Sequence, residues 1–350
     1  MMKKPLVAST AVQLGFQPKV VFAAVEQAMQ LANWQKYVKG KNIVLKVNAV
    51  WDKIYPSCVT TPMVIEGVIL VLKKNLKKSK LTIVDTNTPG MMNATDAFKQ
   101  LGIQALADRY HIKTVNLSNT DFKQVNLNGQ VLKKMKISKV LLKADSIITL
   151  PVLKTHVLST VTLSLKNQWG CIHDLRHQHH LHLREAIADV NKYFAAKIRF
   201  AVLDALWGME GKGPKNGHPL EVGHVFASHD KVALDSFAAK TMGFNPQKIP
   251  HIVNAAKNNL GQMSYRLIGD QPPQFQFVKP QSFHLAFEVE LFLRKLGKGC
   301  QKIFFQGPVF YFMRLAAKIY NDLWYYLIGQ HKAAVAFKTR FGQMWTKYLD

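Results

Sequence analysis

The chain has 350 residues, 48% of them hydrophobic, which is enough for a sizeable core and more than most single domains contain. Its 47 lysines and arginines outnumber its 21 aspartates and glutamates, and the formal net charge of +26 favours anionic partners such as phosphates, acidic lipid or nucleic acid. Three scattered cysteines, Cys58, Cys171 and Cys300, are too few for a disulfide framework or a four-cysteine iron–sulfur cluster, so we expect a reducing, cytoplasmic location.

Along the first 270 residues, segments with helical spacing of apolar residues alternate with short β-branched runs. In chain order, the pattern predicts a helix over 20–38, a strand over 42–47, a helix over 64–76, a strand over 81–84, a helix over 95–110 and strands over 111–117, 146–150 and 199–203. A strand over 222–227 and helices over 231–242 and 250–259 follow. This alternation predicts an α/β fold with a mostly parallel sheet covered by helices on both faces.

A polar, proline-rich linker over 271–281 separates a predicted α/β domain, 1–270, from a C-terminal amphipathic helical extension, 282–350. The extension is aromatic and basic. Polar and charged residues interrupt its most apolar helix, which argues against a spanning segment of about 20 mostly apolar residues. Two interpretations stay open: helices that pack on protein, and helices that associate the chain with an acidic membrane surface. The short, interrupted apolar stretch at the N-terminus argues against a cleaved signal peptide.

Polar residues follow the ends of the apolar strand-like runs, where open α/β sheets bind ligands. Lys154 and His156 come soon after the run over 146–150, and together they can hold a phosphate or carboxylate or serve as acid and base. Lys166 and Asn167 follow a second apolar stretch, where a partly buried lysine can become a base or an anion clamp. A lysine whose stem lies along the core and whose ammonium reaches solvent is the alternative.

A glycine-rich loop and several carboxylates come next along the chain. Gly211 and Gly213 let the backbone approach a ligand, and their amides can point at an anion. Four carboxylates suit proton transfer or a divalent ion opposite the lysines: Asp204, Glu210, Asp230 and Asp235. The alternative for Asp230 is a cap on the helix that begins after it.

The segment over 173–182 is rich in histidine. It makes a transition-metal site an alternative, with Cys171, His173, His177 and His180 as candidate ligands. The spacing matches no specific metal motif, so exposed polar histidines are the simpler interpretation.

Several strings together resemble the family called domain of unknown function 362, over roughly residues 40–270. They are Lys41-Asn-Ile-Val-Leu-Lys46-Val-Asn48, Thr61-Pro62, Lys154-Thr-His156, Leu165-Lys166-Asn167 with Gly170-Cys171, the loop over 208–214, and Ala227-Ser-His-Asp230-Lys-Val-Ala-Leu-Asp235 leading to Met242-Gly243. The resemblance implies a single α/β unit whose biochemical role is unsettled. Some members carry added ferredoxin-type cysteine clusters, which this chain lacks. The ligand-binding candidates are Asn48, Asn167, Gly211 and Gly213.

We therefore expect an enzyme or specific binder that takes an anionic small molecule into a crevice at the carboxyl edge of the sheet. Two alternatives stay open: a peripheral membrane or interaction protein that uses a basic face and the aromatic C-terminal helices, and a metal-dependent redox protein. Nucleic-acid binding rests on net charge alone, because no zinc-finger spacing, ribonucleoprotein aromatic motif or basic zipper is present.

Overall fold

A mixed β-sheet forms the centre of the molecule in the computed structural model, which describes residues 3–174, 176–280, 285–297, 299 and 303–349. Cys300 and the start of the predicted extension lie outside the described residues. The strands of the sheet are β1 (Leu6–Ala11), β2 (Asn42–Lys46), β3 (Lys80–Asp85), β4 (Lys113–Asn116), β7 (Ser146–Thr149), β8 (Val152–His156), β9 (Thr160–Val161), β10 (Phe200–Glu210), β11 (His218–Ser228) and β12 (Arg266–Gly269). Strands β5 (Phe122–Asn126) and β6 (Lys134–Ser138) form a separate pair.

The strand order is β12-β1-β11-β10-β7-β2-β3-β4, and β8 continues beside β10 beyond the end of β7. Strands β10, β7, β2, β3 and β4 are parallel to one another. Strand β11 is antiparallel to both of its neighbours, β10 and β1. The predicted α/β class with a mostly parallel sheet is confirmed. Strand β11 runs opposite to β10 and β1, and the two-residue strand β9 runs opposite to β8.

Helices cover both faces of this sheet. They are α1 (Lys19–Leu31), α2 (Pro62–Asn75), α3 (Ala94–Gln100), α4 (Ile103–Arg109), α5 (Lys139–Lys143), α6 (Leu163–Asn167), α7 (Leu183–Tyr193), α8 (Lys231–Thr241), α9 (Pro250–Lys257), α10 (Leu285–Lys295), α11 (Gly307–Trp324), α12 (Gln330–Phe337) and α13 (Arg340–Thr346). Because side chains alternate along a strand, Ile43 and Leu45 of β2 lie in one hydrophobic cluster and Val44 in the other. The helix predicted over 95–110 is two helices, because Gly102 adopts a φ of 76° between them.

In the C-terminal extension, helix α13 belongs to the core, whereas helix α11 does not. In α13, Phe341 and Trp345 are fully buried, and their rings lie 5.5 and 6.1 Å from the ring of Trp207 in β10. Helix α11 has no buried residue, and Phe312 is 65% exposed. Within the described residues, no helix combines enough length with enough apolar character to cross a membrane.

We expect Trp345→Ala to lower the free energy of unfolding by about 3–5 kcal/mol, because it leaves a large cavity beside Trp207. The matched control, Phe312→Ala, removes an exposed ring and should change the free energy of unfolding by no more than about 0.5 kcal/mol. Urea unfolding followed by tryptophan fluorescence and circular dichroism measures both. Equal losses in the two variants would show that α13 is not part of the core.

Candidate functional site

A pocket of about 90 Å³ lies at the carboxyl edge of the parallel strands. The strand ends position three of its side chains: Lys46 is the last residue of β2, Asp85 is the last residue of β3, and Lys154 belongs to β8. The lining residues are Lys46, Asn48, Val50, Asp85, Thr86, Thr88, Lys154, His156, Thr162, Lys166, Asn167, Trp169, Gly170, Arg176 and Pro214. Four of these side chains are lysine or arginine, and one is a carboxylate.

A buried ion pair joins the ends of β2 and β3. The ammonium of Lys46 lies 2.8 Å from Asp85 Oδ1 and also donates to the carbonyl of Val47 at 2.6 Å. The other carboxylate oxygen of Asp85 accepts the amide of Ala49 at 2.6 Å. A Cβ at Gly170 would lie 2.8 Å from Lys46 Nζ and 3.0 Å from Asp85 Oδ1, so any side chain there would displace the pair. Glycine at this position therefore permits the close approach of the backbone to the two charges.

Lys154 lies at the centre of a buried hydrogen-bond network. Its ammonium donates to Asn48 Oδ1 at 2.7 Å and to the carbonyl of Cys58 at 2.5 Å. Asn48 donates in turn to Asn167 Oδ1 at 3.0 Å, and Asn167 donates to Thr149 Oγ1 at 2.8 Å. Burial lowers the pKa of Lys154 to about 8. The predicted ligand-binding residues Asn48 and Asn167 thus both line the pocket and hold Lys154 in place.

Arg176 enters the pocket from the histidine-rich segment. Its guanidinium donates to Thr86 Oγ1 at 2.8 Å, to the carbonyl of Asn87 at 2.8 Å and to the carbonyl of Ile172 at 3.2 Å. Burial lowers the pKa of this side chain from its ordinary value. These three acceptors are uncharged, and no carboxylate of the described residues forms an ion pair with Arg176.

The short helix α6 presents Lys166 to the pocket, and Asp235 of α8 holds the start of that helix. The carboxylate of Asp235 accepts the amides of Ser164 and Leu165, each at 2.8 Å, and the hydroxyl of Ser164 at 2.5 Å. Lys166 Nζ lies 2.9 Å from His156 Nε2. Asp235 lies outside the pocket and acts on it by positioning α6.

The structure places the other three predicted carboxylates away from the pocket. Strand β11 is antiparallel and pairs Ser228 with Ala201 at the start of β10, so Asp230 lies at the opposite edge of the sheet. There it caps α8 by accepting the amides of Val232 and Ala233, each at 2.9 Å.

Asp204 and Glu210 also bind backbone amides. Asp204 accepts the amide of Thr61 at 2.7 Å, and burial raises its pKa to about 6. Glu210 accepts the amide of Val278 at 2.8 Å. Neither carboxylate lines the pocket. The expected arrangement of these acids opposite the lysines is therefore not what the structure shows, and the carboxylate at the pocket is Asp85.

The predicted glycine-rich loop over 208–214 consists of the end of strand β10 and a tight turn. Strand β10 continues to Glu210 because it forms a long hairpin with β11, instead of ending near Asp204. The amide of Gly211 donates to the carbonyl of Val278 at 2.9 Å, and the amide of Gly213 donates to the carbonyl of Gly211 at 2.8 Å. Both amides already have protein acceptors, so they do not point at the pocket as expected. Pro214 is the part of this loop that lines it.

The candidate metal ligands have separate partners. His173 packs on Phe122 with ring centroids 4.6 Å apart, His177 stacks on Phe310 at 4.0 Å, and His180 Nδ1 lies 2.8 Å from Glu290 Oε1. Cys171 is buried, which raises its pKa to about 12. Among the described residues, no three histidine, cysteine or acidic side chains come together as a metal site.

Sequence reasoning identified Lys154, His156 and Lys166 and missed three other charged lining residues. Lys46 and Asp85 each end a short apolar strand, and a charge at that position was the signal available for them. Arg176 is the first residue of a 3₁₀ helix, Arg176–His182, whose polar, histidine-rich sequence has no apolar periodicity to mark a side chain as inward-facing.

Comparisons with known proteins match this region of the chain. The model of a family described as a domain of unknown function (DUF362) matches residues 43–240, a range that includes every residue of the pocket lining. A thylakoid-associated protein of Synechocystis sp. strain PCC 6803 is 27% identical over 242 residues, which are 66% of this chain and 72% of that protein.

Two solved structures are also similar. The lactate racemase apoprotein from Thermoanaerobacterium thermosaccharolyticum matches with a TM-score of 0.41 and 15% identity, over 66% of this chain and 55% of that one. A protein from Thermotoga maritima matches with a TM-score of 0.30 and 12% identity, over 56% of this chain and 52% of that one. The chain spans about half the length of both proteins.

We expect Asp235→Ala to loosen α6, because the amides of Ser164 and Leu165 lose their buried acceptor at a cost of about 1–3 kcal/mol each. Hydrogen exchange should show these two amides losing protection. The control Asp230→Ala removes a similar cap from α8 at the other edge and should leave α6 protected. Unchanged protection of Ser164 and Leu165 in Asp235→Ala would contradict the positioning role.

Proposed function

This chain belongs to the DUF362 family, and we propose that it takes a small anionic molecule, as an enzyme or a specific binding protein, into the pocket at the carboxyl edge of its sheet. The observation that carries the proposal is the charge of the lining, which has four lysine or arginine side chains against one carboxylate. An unpaired charge away from water costs several kcal/mol, so a pocket with this excess favours an anion.

The donors that face the pocket retain capacity for a ligand. Within the part of the chain that the structure describes, Lys46 and Lys154 each use two of their three N–H groups on protein oxygens, which leaves one on each for a ligand. The guanidinium of Arg176 has five N–H groups and suits a planar carboxylate or phosphate. These donors converge from β2, β8 and the histidine-rich turn, and this convergence supports recognition of a single small anion.

The size of the pocket restricts the ligand class. One water molecule, which has a single non-hydrogen atom, needs roughly 10–15 Å³ of cavity volume. The pocket of about 90 Å³ therefore accommodates on the order of six to nine non-hydrogen atoms. A small carboxylate or inorganic phosphate fits this volume, whereas a nucleotide is too large to enter it whole.

We expect Arg176→Met to weaken anion binding by about tenfold or more, because it removes a charge-assisted contact without leaving a carboxylate unpaired. Isothermal titration calorimetry with oxalate and with inorganic phosphate measures the dissociation constants. Lys77→Met is the matched control, since it removes one positive charge at an exposed position. The proposal fails if the unmodified protein binds neither anion, or if both variants change the affinity equally.

We propose as a second function that the C-terminal helices hold the protein on an acidic membrane surface. Helix α11 has no buried residue, and large apolar side chains are exposed on it and on the turn that follows, including Phe312, Leu323 and Leu327. An amphipathic helix with aromatic residues and a basic protein surface suits the membrane interface. The similar Synechocystis protein is described as thylakoid-associated, which supports the same assignment.

We expect the double variant Phe312→Asp, Leu327→Asp to lose binding to vesicles, because these side chains are 65% and 70% exposed and would enter the lipid interface. Flotation on phosphatidylcholine vesicles with and without phosphatidylglycerol measures binding. The control Gln30→Asp, Gln343→Asp adds the same charge at exposed polar positions and should still float. Truncation at the linker is unsuitable, because it removes the core residues of α13. A full chain that stays with the soluble fraction, or equal flotation of both variants, would rule out this assignment.

A further inference from the structure

The contact between His156 and Lys166 differs from every other lysine contact in the pocket. Lys46 and Lys154 donate to carbonyl, carboxylate or amide oxygens, whereas Lys166 Nζ lies 2.9 Å from a ring nitrogen, His156 Nε2. The other ring nitrogen, Nδ1, accepts the amide of Leu158 at 3.1 Å. A neutral imidazole with an accepting Nδ1 carries its proton on Nε2.

His156 is therefore the donor toward Lys166, and Lys166 must accept. Burial lowers the pKa of His156 well below its ordinary value, so the ring is neutral. An N–H on Nε2 can bond to Lys166 Nζ only if that nitrogen has a lone pair. A protonated Lys166 would place two donors 2.9 Å apart, so the geometry requires the neutral amine.

The surroundings of Lys166 favour the same state. Burial is the largest cause that lowers its pKa to about 7, and the charges of Lys154 and Arg176 contribute in the same direction. His251 of α9 also interacts with it electrostatically, and burial lowers the pKa of that imidazole to about 3, so it adds no positive charge near neutrality. Among the described residues, His156, Lys154, Arg176 and His251 are the titratable and charged groups that interact with Lys166.

We propose that Lys166 is a nucleophile that forms an imine with the carbonyl carbon of a small 2-oxo acid. This inference rests on the proposed anion-binding function and specifies its substrate class. A neutral amine adds to a ketone, and the lysine and arginine side chains of the lining supply the donors for an adjacent carboxylate. A 2-oxo acid has both groups on neighbouring carbons, and pyruvate, with six non-hydrogen atoms, matches the size of the pocket.

The reaction is balanced without any redox partner. The lone pair of Lys166 Nζ forms a bond to the carbonyl carbon, and a proton moves from nitrogen to oxygen to give the carbinolamine. The carbon–oxygen bond then breaks, and the oxygen leaves as water with the two protons that the amine carried. Before the attack, the lone pair of Lys166 Nζ accepts the His156 Nε2–H, and this hydrogen bond breaks as the amine turns to the carbonyl carbon. His156 holds the unprotonated amine until then and is a positioning residue for this step.

Reductive trapping of the full-length protein with pyruvate and sodium cyanoborohydride tests the proposal. Peptide mass spectrometry should find the reduced adduct on Lys166 in preference to the other lysines, and its yield should rise through about pH 7 instead of near the ordinary lysine pKa of about 10.4. Lys166→Arg replaces the neutral amine with a guanidinium that stays protonated and forms no imine, so this variant should lose the adduct while it still binds oxalate. The control Lys77→Arg should be labelled at Lys166 like the unmodified protein.

The outcomes separate this inference from the proposed function. Calorimetric binding of pyruvate and oxalate without an adduct on Lys166 would overturn the imine and leave the anion site standing. Absence of binding to pyruvate, oxalate and inorganic phosphate alike would overturn both, whereas binding of phosphate alone would overturn the imine and leave the anion site standing. Labelling spread evenly over surface lysines would also overturn the imine, and this map of the unmodified protein is decisive even if Lys166→Arg does not fold.

Discussion

The burial of positive charge at the carboxyl edge of the sheet is the constraint on which the site depends. Lys46 has the one carboxylate of the lining as its partner, and Lys154 and Arg176 are held by uncharged oxygens. Breaking a buried ion pair by removing one partner costs about 3–5 kcal/mol, so the pair between Lys46 and Asp85 anchors the ends of β2 and β3. Burial is the main cause that lowers the pKa of Lys154 and Lys166, and the remaining excess of positive charge favours an anion that compensates it.

The sheet topology explains how residues far apart in the chain meet in one pocket. Parallel strands β2, β3 and β10 end at the same edge, and β8 continues there beside β10. Each strand contributes a side chain or a loop at this edge, as open α/β sheets do where they bind ligands. Short connections then complete the lining: α6 adds Lys166, and the turn after it adds Gly170, whose missing side chain leaves space for the ion pair.

The periodic part of the sequence allowed most of the α/β core to be predicted, because helix and strand periods of apolar residues reflect which face is buried. Lys154 and Lys166 were found for the same reason, since each follows an apolar run. The direction of β11 was not predictable from its composition, because antiparallel and parallel strands of buried sheets read alike, and its reversal carries Asp230 to the opposite edge. Arg176 was missed because its position at the pocket depends on how the 3₁₀ helix Arg176–His182 packs against distant parts of the chain. Which ring nitrogen of His156 carries the proton follows from the hydrogen bond that Nδ1 accepts from the amide of Leu158. No pattern in the sequence indicates this contact.

The exposed apolar surface of α11 and the net charge of +26 act in opposite directions when copies of this protein meet in solution. At low ionic strength, like charges repel over tens of ångströms and keep the molecules dispersed. At about 1 M salt the screening length falls to about 3 Å, and attraction between apolar side chains such as Leu327 then prevails. We therefore expect colloidal stability to decrease as salt is added.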